Sequence, residues 1–204
     1  MAPMPPGPAY PDGAVIVVGS EHATNQPSVD QIFLLDGATL AIRDSVTFPR
    51  YTGWFTQVLA APDRMHVYAV TATELYEYDL VARQVVATGP RLGSGMLAIS
   101  PDGQRLYLSD AGDFYDFPGS GKIFVYDAAL HALPPFDLSV ASINGFVPVT
   151  HGLTTSHDGR RLYVMSGSSF LDQLGRLFIL DTSTGRILST IALDEYGVSW
   201  ILLR

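Results

Sequence analysis

Carboxylate side chains that could bind a metal ion lie close together in one loop of this chain. Asp110, Asp113 and Asp116 fall within seven residues, and carboxylate oxygens at such short spacing can ligate Ca²⁺. Their i, i+3, i+6 spacing differs from that of the EF-hand loop, which alternates its ligands and ends in Glu. A calcium site and an ordinary solvated loop are therefore the two interpretations of this segment.

A second candidate set combines one carboxylate with two imidazoles, namely Glu21, His22 and His151. These groups bind transition metals and transfer protons near neutral pH. The two histidines stand in two separate parts of the sequence, one in each, which is a sparse pattern for a metal or acid–base site. The other histidines fall at strand ends or in turns, where structural or solvent-exposed roles are expected.

Two further segments resemble catalytic loops but lack a required residue. Residues 118–122 resemble the end of a phosphate-binding loop, but Asp116 stands where the first Gly is needed and Ile123 replaces Ser or Thr. Residues 92–95 lack the G-x-S-x-G spacing of a nucleophile elbow. The sequence contains no convincing triad or phosphate cradle, so no catalytic residue and no cofactor are predicted.

The elements that position these residues repeat four times along the chain. Each repeat has a turn, a hydrophobic strand, a second strand that ends in Asp, and a third strand, and a short strand precedes most of the turns. The second-strand aspartates are expected to accept N–H bonds from the turn that follows them. Such antiparallel units, at a period of roughly 40 to 55 residues, predict an all-β propeller with four strands in each blade. The recurring aspartates are Asp36, Asp79, Asp127 and Asp181.

Two stretches carry a family resemblance. Residues 100–107 (Ser-Pro-Asp-Gly-Gln-Arg-Leu-Tyr) and residues 161–186 resemble the YVTN-type β-propeller repeat, which is found in lactonase-like and methylamine-dehydrogenase-heavy-chain-like propellers. The resemblance covers roughly residues 11–193 and implies a β-propeller fold. It implies little about activity, because that superfamily includes enzymes, electron-transfer subunits, surface proteins and binding scaffolds.

The repeat count predicts a propeller of four blades, whereas propellers of that superfamily usually have six to eight. Residues 1–10 are expected to form a proline-rich arm, and residues 11–204 a single domain. A C-terminal strand at residues 197–204 is expected to complete the N-terminal blade. A fragment of a larger propeller and two chains sharing one ring are the alternatives. The predicted repeats are residues 11–48, 55–89, 95–140 and 151–193.

Three long loops, each leading into a strand that ends in one of the recurring aspartates, lie at residues 19–30, 109–121 and 166–175. They are expected to share one face with the connections at residues 49–55 and 139–151. Per-repeat insertions on one face often mark a binding surface. Aromatic side chains in these loops are suited to the energetic centre of an interface, although they could instead fold back and cap the sheets. They are Tyr51, Trp54, Phe55, Phe114, Tyr115, Phe117, Phe146 and Phe170.

Composition narrows the classes of partner. The chain has 204 residues, 47% of them hydrophobic, a net charge of −8 and no cysteine. No basic stripe is available to neutralise phosphates, so nucleic acid is not expected as a partner. The longest apolar runs are strand-sized, so no transmembrane segment is predicted. The N-terminus is not an intact secretory signal, and the family resemblance favours an extracytoplasmic location.

These observations together predict a non-catalytic β-propeller scaffold. It is expected to dock a protein partner through the long-loop face, or to serve as an accessory subunit of a larger assembly, with a monomer favoured and a dimer as the alternative. A partner that is steered electrostatically would carry a basic patch. The competing prediction is a lactonase-like hydrolase with its site at the channel mouth.

Overall fold

The structure is a computed structural model that describes residues 2–4, 6, 10, 13–21, 29–47, 57–71, 73–111, 119–142, 147–167 and 175–193. Within these ranges the chain is all-β, with sixteen strands in four antiparallel sheets of four strands each. Consecutive strands are neighbours in every sheet. The described part of the chain has no helix with the length and hydrophobicity of a membrane span.

The first compact unit, residues 1–91, contains two of the sheets. Its core consists of side chains from both sheets, among them Ile16, Leu34, Val67 and Tyr78. The strands of the first sheet are β1 (Ala2–Met4), β2 (Ala14–Glu21), β3 (Val29–Asp36) and β4 (Ile42–Thr47). Those of the second are β5 (Gln57–Ala60), β6 (His66–Val70), β7 (Glu74–Asp79) and β8 (Gln84–Pro90).

The second compact unit, residues 92–204, contains the other two sheets. A separate core joins them, and it includes Tyr107, Phe136, Leu162 and Phe178. The third sheet consists of β9 (Leu97–Ile99), β10 (Arg105–Ser109), β11 (Lys122–Asp127) and β12 (Ala132–Asp137). The fourth consists of β13 (Val149–Thr155), β14 (Arg161–Gly167), β15 (Gly175–Asp181) and β16 (Ile187–Leu193).

Burial falls from the inner to the outer strands, which explains the nearly continuous hydrophobic runs in the sequence. In β6 four of the five residues are buried, and in β10 the same is true. Strands in the middle of stacked sheets are covered on both faces, so they do not alternate between apolar and polar residues. The fourth strand of each sheet is more exposed, and most of β16 is accessible to solvent.

The N-terminal segment differs from its prediction. Ala2–Met4 pairs antiparallel with β2, in the register Ala2↔Ile16 and Met4↔Ala14. This corrects the expectations that the N-terminus is only an extended arm and that residues 197–204 occupy this edge of the first blade. Pro3 is compatible with β1 because an edge strand has one side on which no backbone N–H is needed. Residues 197–204 lie outside the described residues.

The turns that follow the second-strand aspartates have the predicted chemistry. Oδ1 of Asp181 accepts hydrogen bonds from the backbone N–H groups of Ser183 and Thr184, both at 2.9 Å. Equivalent pairs of N–H bonds reach Asp36, Asp79 and Asp127. Each turn also contains a residue with positive φ, at Leu40, Arg83, Leu130 and Gly185. The structural role predicted for the four aspartates is thereby confirmed.

Candidate functional site

The aromatic surface predicted from the sequence lies outside the described residues, so it stays a prediction. That holds for all eight side chains: Tyr51, Trp54, Phe55, Phe114, Tyr115, Phe117, Phe146 and Phe170.

Most of the predicted metal or acid–base candidates also lie outside the part of the chain that the structure describes. Asp113, Asp116 and His22 are among the undescribed residues, while only the backbone of Glu21, in β2, and of His151, in β13, is described. Among the side chains that the structure does describe, no group of three His, Cys, Asp or Glu residues is arranged to hold a metal ion.

Asp110 is the one described member of the candidate calcium set, and its carboxylate is hydrogen-bonded within the second unit. Oδ1 accepts a bond from the Ser94 hydroxyl at 3.1 Å, and Oδ2 accepts one from the Ser120 N–H at 2.8 Å. The Asp110 backbone N–H donates to Oγ1 of the fully buried Thr150 at 2.9 Å. Asp110 therefore connects three chain segments at the end of β10, which is a structural role.

His66 also has a structural position, as its place at a strand end predicted. Its Nδ1 lies 2.6 Å from Oδ2 of Asp63, and its Nε2 lies 3.8 Å from Oδ2 of Asp79. Burial lowers the pKa of His66, but the hydrogen bond and charge of Asp63 outweigh it, so the pKa is raised. The imidazole thus joins the turn before β6 to the end of β7.

Two grooves in the second unit were not predicted from the sequence. The first, which we call the turn groove, has a volume of about 370 Å³ and lies between the β9–β10 turn, the β13–β14 turn and residues 182–183. Tyr107 lines it although the residue is only 1% exposed. Its charged and ionisable side chains are Asp102, Arg105, His157, Asp158 and Arg160.

Hydrogen bonds between turns build the turn groove. Nη1 of Arg105 donates to the Thr182 carbonyl oxygen at 2.8 Å, which joins β10 to the turn after β15. The Thr182 hydroxyl donates to the Gly159 carbonyl oxygen at 2.6 Å, and the Thr182 N–H donates to the Arg160 carbonyl oxygen at 3.1 Å. Thr182, itself largely buried, thus holds the turns around the groove in fixed positions.

The two carboxylates of the turn groove are bonded inside their own turns. Oδ1 of Asp102 accepts bonds from the Ser100 hydroxyl at 2.5 Å and the Gln104 N–H at 3.0 Å. Oδ1 of Asp158 accepts bonds from the Ser156 hydroxyl at 2.6 Å and the Arg160 N–H at 3.1 Å. These bonds, led by those of the serine hydroxyls, lower the pKa of both groups.

The second groove, which we call the side groove, has a volume of about 500 Å³ and a lining of both apolar and polar residues. Pro135, Phe136, Val140 and Ile187 line it, with Asp137 and Arg186 also present. Val140 is 80% exposed, whereas Phe136 is 9% exposed and lies with its ring centroid 6.0 Å from that of Tyr107. An apolar centre beside charged groups is the usual composition of a protein–protein interface.

No protein-family model and no curated protein matches the sequence. Among solved structures, the chain is similar to Kuenenia stuttgartiensis hydrazine synthase, with a TM-score of 0.61 and 16% identity over 82% of this chain. It is also similar to U3-55K, with a TM-score of 0.51 and 14% identity over 85% of this chain. The chain spans 46% and 42% of the lengths of those two chains. At these identities the likeness shows the fold alone, which is all-β and propeller-like.

Proposed function

We propose that this chain is a non-catalytic, propeller-type binding scaffold that docks a protein partner, either freely or as an accessory subunit of a larger assembly. The side groove is the observation that carries this proposal. Its lining includes Val140, a large hydrophobic residue that is 80% exposed, beside the ionisable residues Asp137 and Arg186. Burying such a surface against a partner releases water from apolar atoms, while the charged groups determine orientation.

The proposal extends to the long-loop face. Val140 lies in the connection between β12 and β13, which is one of the connections expected on that face. Asp137 accepts the Ser139 N–H at 2.8 Å, and this bond holds the start of the short 3₁₀ turn Ser139–Ala141 that carries Val140. We therefore propose that the side groove is a docking surface of the second unit, and that the eight loop aromatics, including Trp54 and Tyr115, are also partner contacts.

The finer fold assignment is part of the same proposal. Four sheets with matching turns support four blades of a YVTN-like propeller. The repeated turn aspartates support it further, because a side chain that recurs in every blade and bonds its own turn contributes to folding rather than to catalysis.

The experiment is partner capture by photo-crosslinking, followed by affinity measurements with the purified partner. Val140→Asp and Trp54→Ala are each expected to weaken binding about tenfold or more, because one buries a charge and the other removes an aromatic anchor. Val81→Asp is the matched control, since Val81 is also an exposed apolar residue, at 63%, but does not line the groove.

Two results would overturn this proposal. The first is a partner that binds the wild type, Val140→Asp and Trp54→Ala with equal affinity. The second is turnover of a small lactone or ester that is abolished by His151→Ala or Glu21→Gln, since that outcome would favour the hydrolase instead.

A further inference from the structure

We propose that the turn groove is a second binding site, and that it binds an acidic peptide segment through paired guanidinium–carboxylate contacts from Arg105 and Arg160. Both arginines line the groove, on the β9–β10 side and in the β13–β14 turn respectively. The site is separate from the side groove, and the inference does not depend on the proposed function of that groove.

Arg105 is held in position before any ligand arrives. Its Nη1 donates to the Thr182 carbonyl oxygen at 2.8 Å, and its side chain lines the groove together with Tyr107, which is 1% exposed. A guanidinium carries five N–H donors in a rigid plane, so this bond restricts its orientation while further donors are left for a ligand. Little rotamer entropy would then be lost when a carboxylate binds.

Arg160 is held through its backbone while its side chain is exposed. Its N–H donates to Asp158 at 3.1 Å, and its carbonyl oxygen accepts the Thr182 N–H at 3.1 Å. Within the described residues, its guanidinium makes no hydrogen bond or ion pair. A carboxylate is the natural complement, because its two oxygens match the parallel N–H bonds that a guanidinium presents.

The two carboxylates of the lining, Asp102 and Asp158, already accept hydrogen bonds within their own turns. The lining has as many guanidinium groups as carboxylates, in a chain whose net charge is −8. The groove is therefore less acidic than the chain as a whole, and Arg105 and Arg160 are the groups that an acidic segment would contact.

The shape of the site favours a peptide over an enclosed small acid. The groove lies open between hairpin turns and has a volume of about 370 Å³, within the usual range of ligand sites. An open groove leaves both ends of a bound segment free to continue into a larger protein. Gln104 and Ser183, whose side chains can form hydrogen bonds, also line the groove.

The test measures fluorescence anisotropy of a labelled hexaglutamate peptide titrated with the full chain. We expect binding that weakens as the ionic strength rises from about 0.05 M to about 0.3 M. Arg160→Gln should weaken it about tenfold, since a hydrogen-bonded charge pair is lost. Arg176→Gln is the matched control, because it removes the same charge from the opposite end of β15 and should leave the affinity unchanged.

Several outcomes would overturn the inference. They are no binding to the wild type, equal binding of a hexaglutamine peptide, or equal losses in Arg160→Gln and Arg176→Gln. An oligonucleotide that displaces the peptide and depends on Arg160 more strongly would assign the groove to nucleic acid. Free glutamate that competes at the same carboxylate concentration would assign it to small acids. Thermal melts of both variants would establish that each is folded.

Discussion

Each second-strand aspartate of the sequence repeat, which ends the third strand of its sheet, bonds to the turn that follows it, and Asp36 is an example. Hydrogen bonds from the backbone and side chain of Thr39, with help from the Ala38 N–H and the nearby Arg43, lower its pKa from 3.8 to about 2. Because the lowered value belongs to the folded state, the ionised carboxylate stabilises the fold.

The pH dependence of this contribution follows from the direction of the shift. The stabilisation is complete above about pH 4 and is lost as the pH falls through about 2. Asp36→Asn should therefore lower the melting temperature at neutral pH. The difference in melting temperature between this variant and the wild type should become smaller as the pH falls from about 4 towards 2. Melts monitored by circular dichroism measure this. A constant difference over the whole range would show that the charge contributes nothing.

Among the elements, the turns after the second-strand aspartates tolerate different residues at their positive-φ position. Leu40, Arg83 and Leu130 occupy it in three turns, whereas Gly185 occupies it in the fourth, with φ of +71°. Packing gives the reason, because a Cβ on Gly185 would lie 2.3 Å from Cδ1 of Phe136. The β15–β16 turn needs glycine for space as well as for backbone conformation.

This difference predicts the outcome of two alanine substitutions. Gly159 has φ of +69°, but a Cβ there would meet only the Pro101 ring, with Cδ at 3.3 Å and Cγ at 3.8 Å. Gly159→Ala is expected to cost about 1 kcal/mol through backbone strain. Gly185→Ala should cost about 1–3 kcal/mol more, because the Phe136 ring must also shift. Urea denaturation would measure both, and equal losses would show that the Phe136 contact is relieved without cost.

At the scale of the whole molecule, each compact unit has a hydrophobic core of its own. The core residues of the first unit extend from Tyr10 to Leu80, and those of the second from Tyr107 to Leu180. A substitution that disrupts the packing of one core should therefore reduce stability mainly within its own unit, since a packing defect is transmitted through direct contacts.

Amide hydrogen exchange of the Gly185→Ala variant would test this expectation. Exchange should become faster in β9–β16, where the Phe136 core is loosened, and should be unchanged in β2–β8. The Gly159→Ala variant serves as the reference, because it introduces backbone strain without displacing the Phe136 ring in the core. Equal acceleration across all described strands would mean that the two units unfold together as one cooperative structure.

Much of the fold was predictable because its signals are local. The turn carboxylates bond to N–H groups two to four residues away, so residue type and spacing are enough to predict them. The strand β1 was not predictable in this way. It contains Pro3 and pairs with residues near position 15, so only the available edge of β2 makes it a strand.

The sequence by itself determined the all-β class, the four repeats and the structural role of the recurring aspartates, because each depends on contacts within one turn or one hairpin. Tertiary structure alone decided the candidate sites. The turn groove exists because Arg105 reaches Thr182 across 77 residues, and the side groove because Phe136 packs over Gly185. No pattern of spacing along the chain encodes those contacts, since they depend on how neighbouring sheets pack within the second unit.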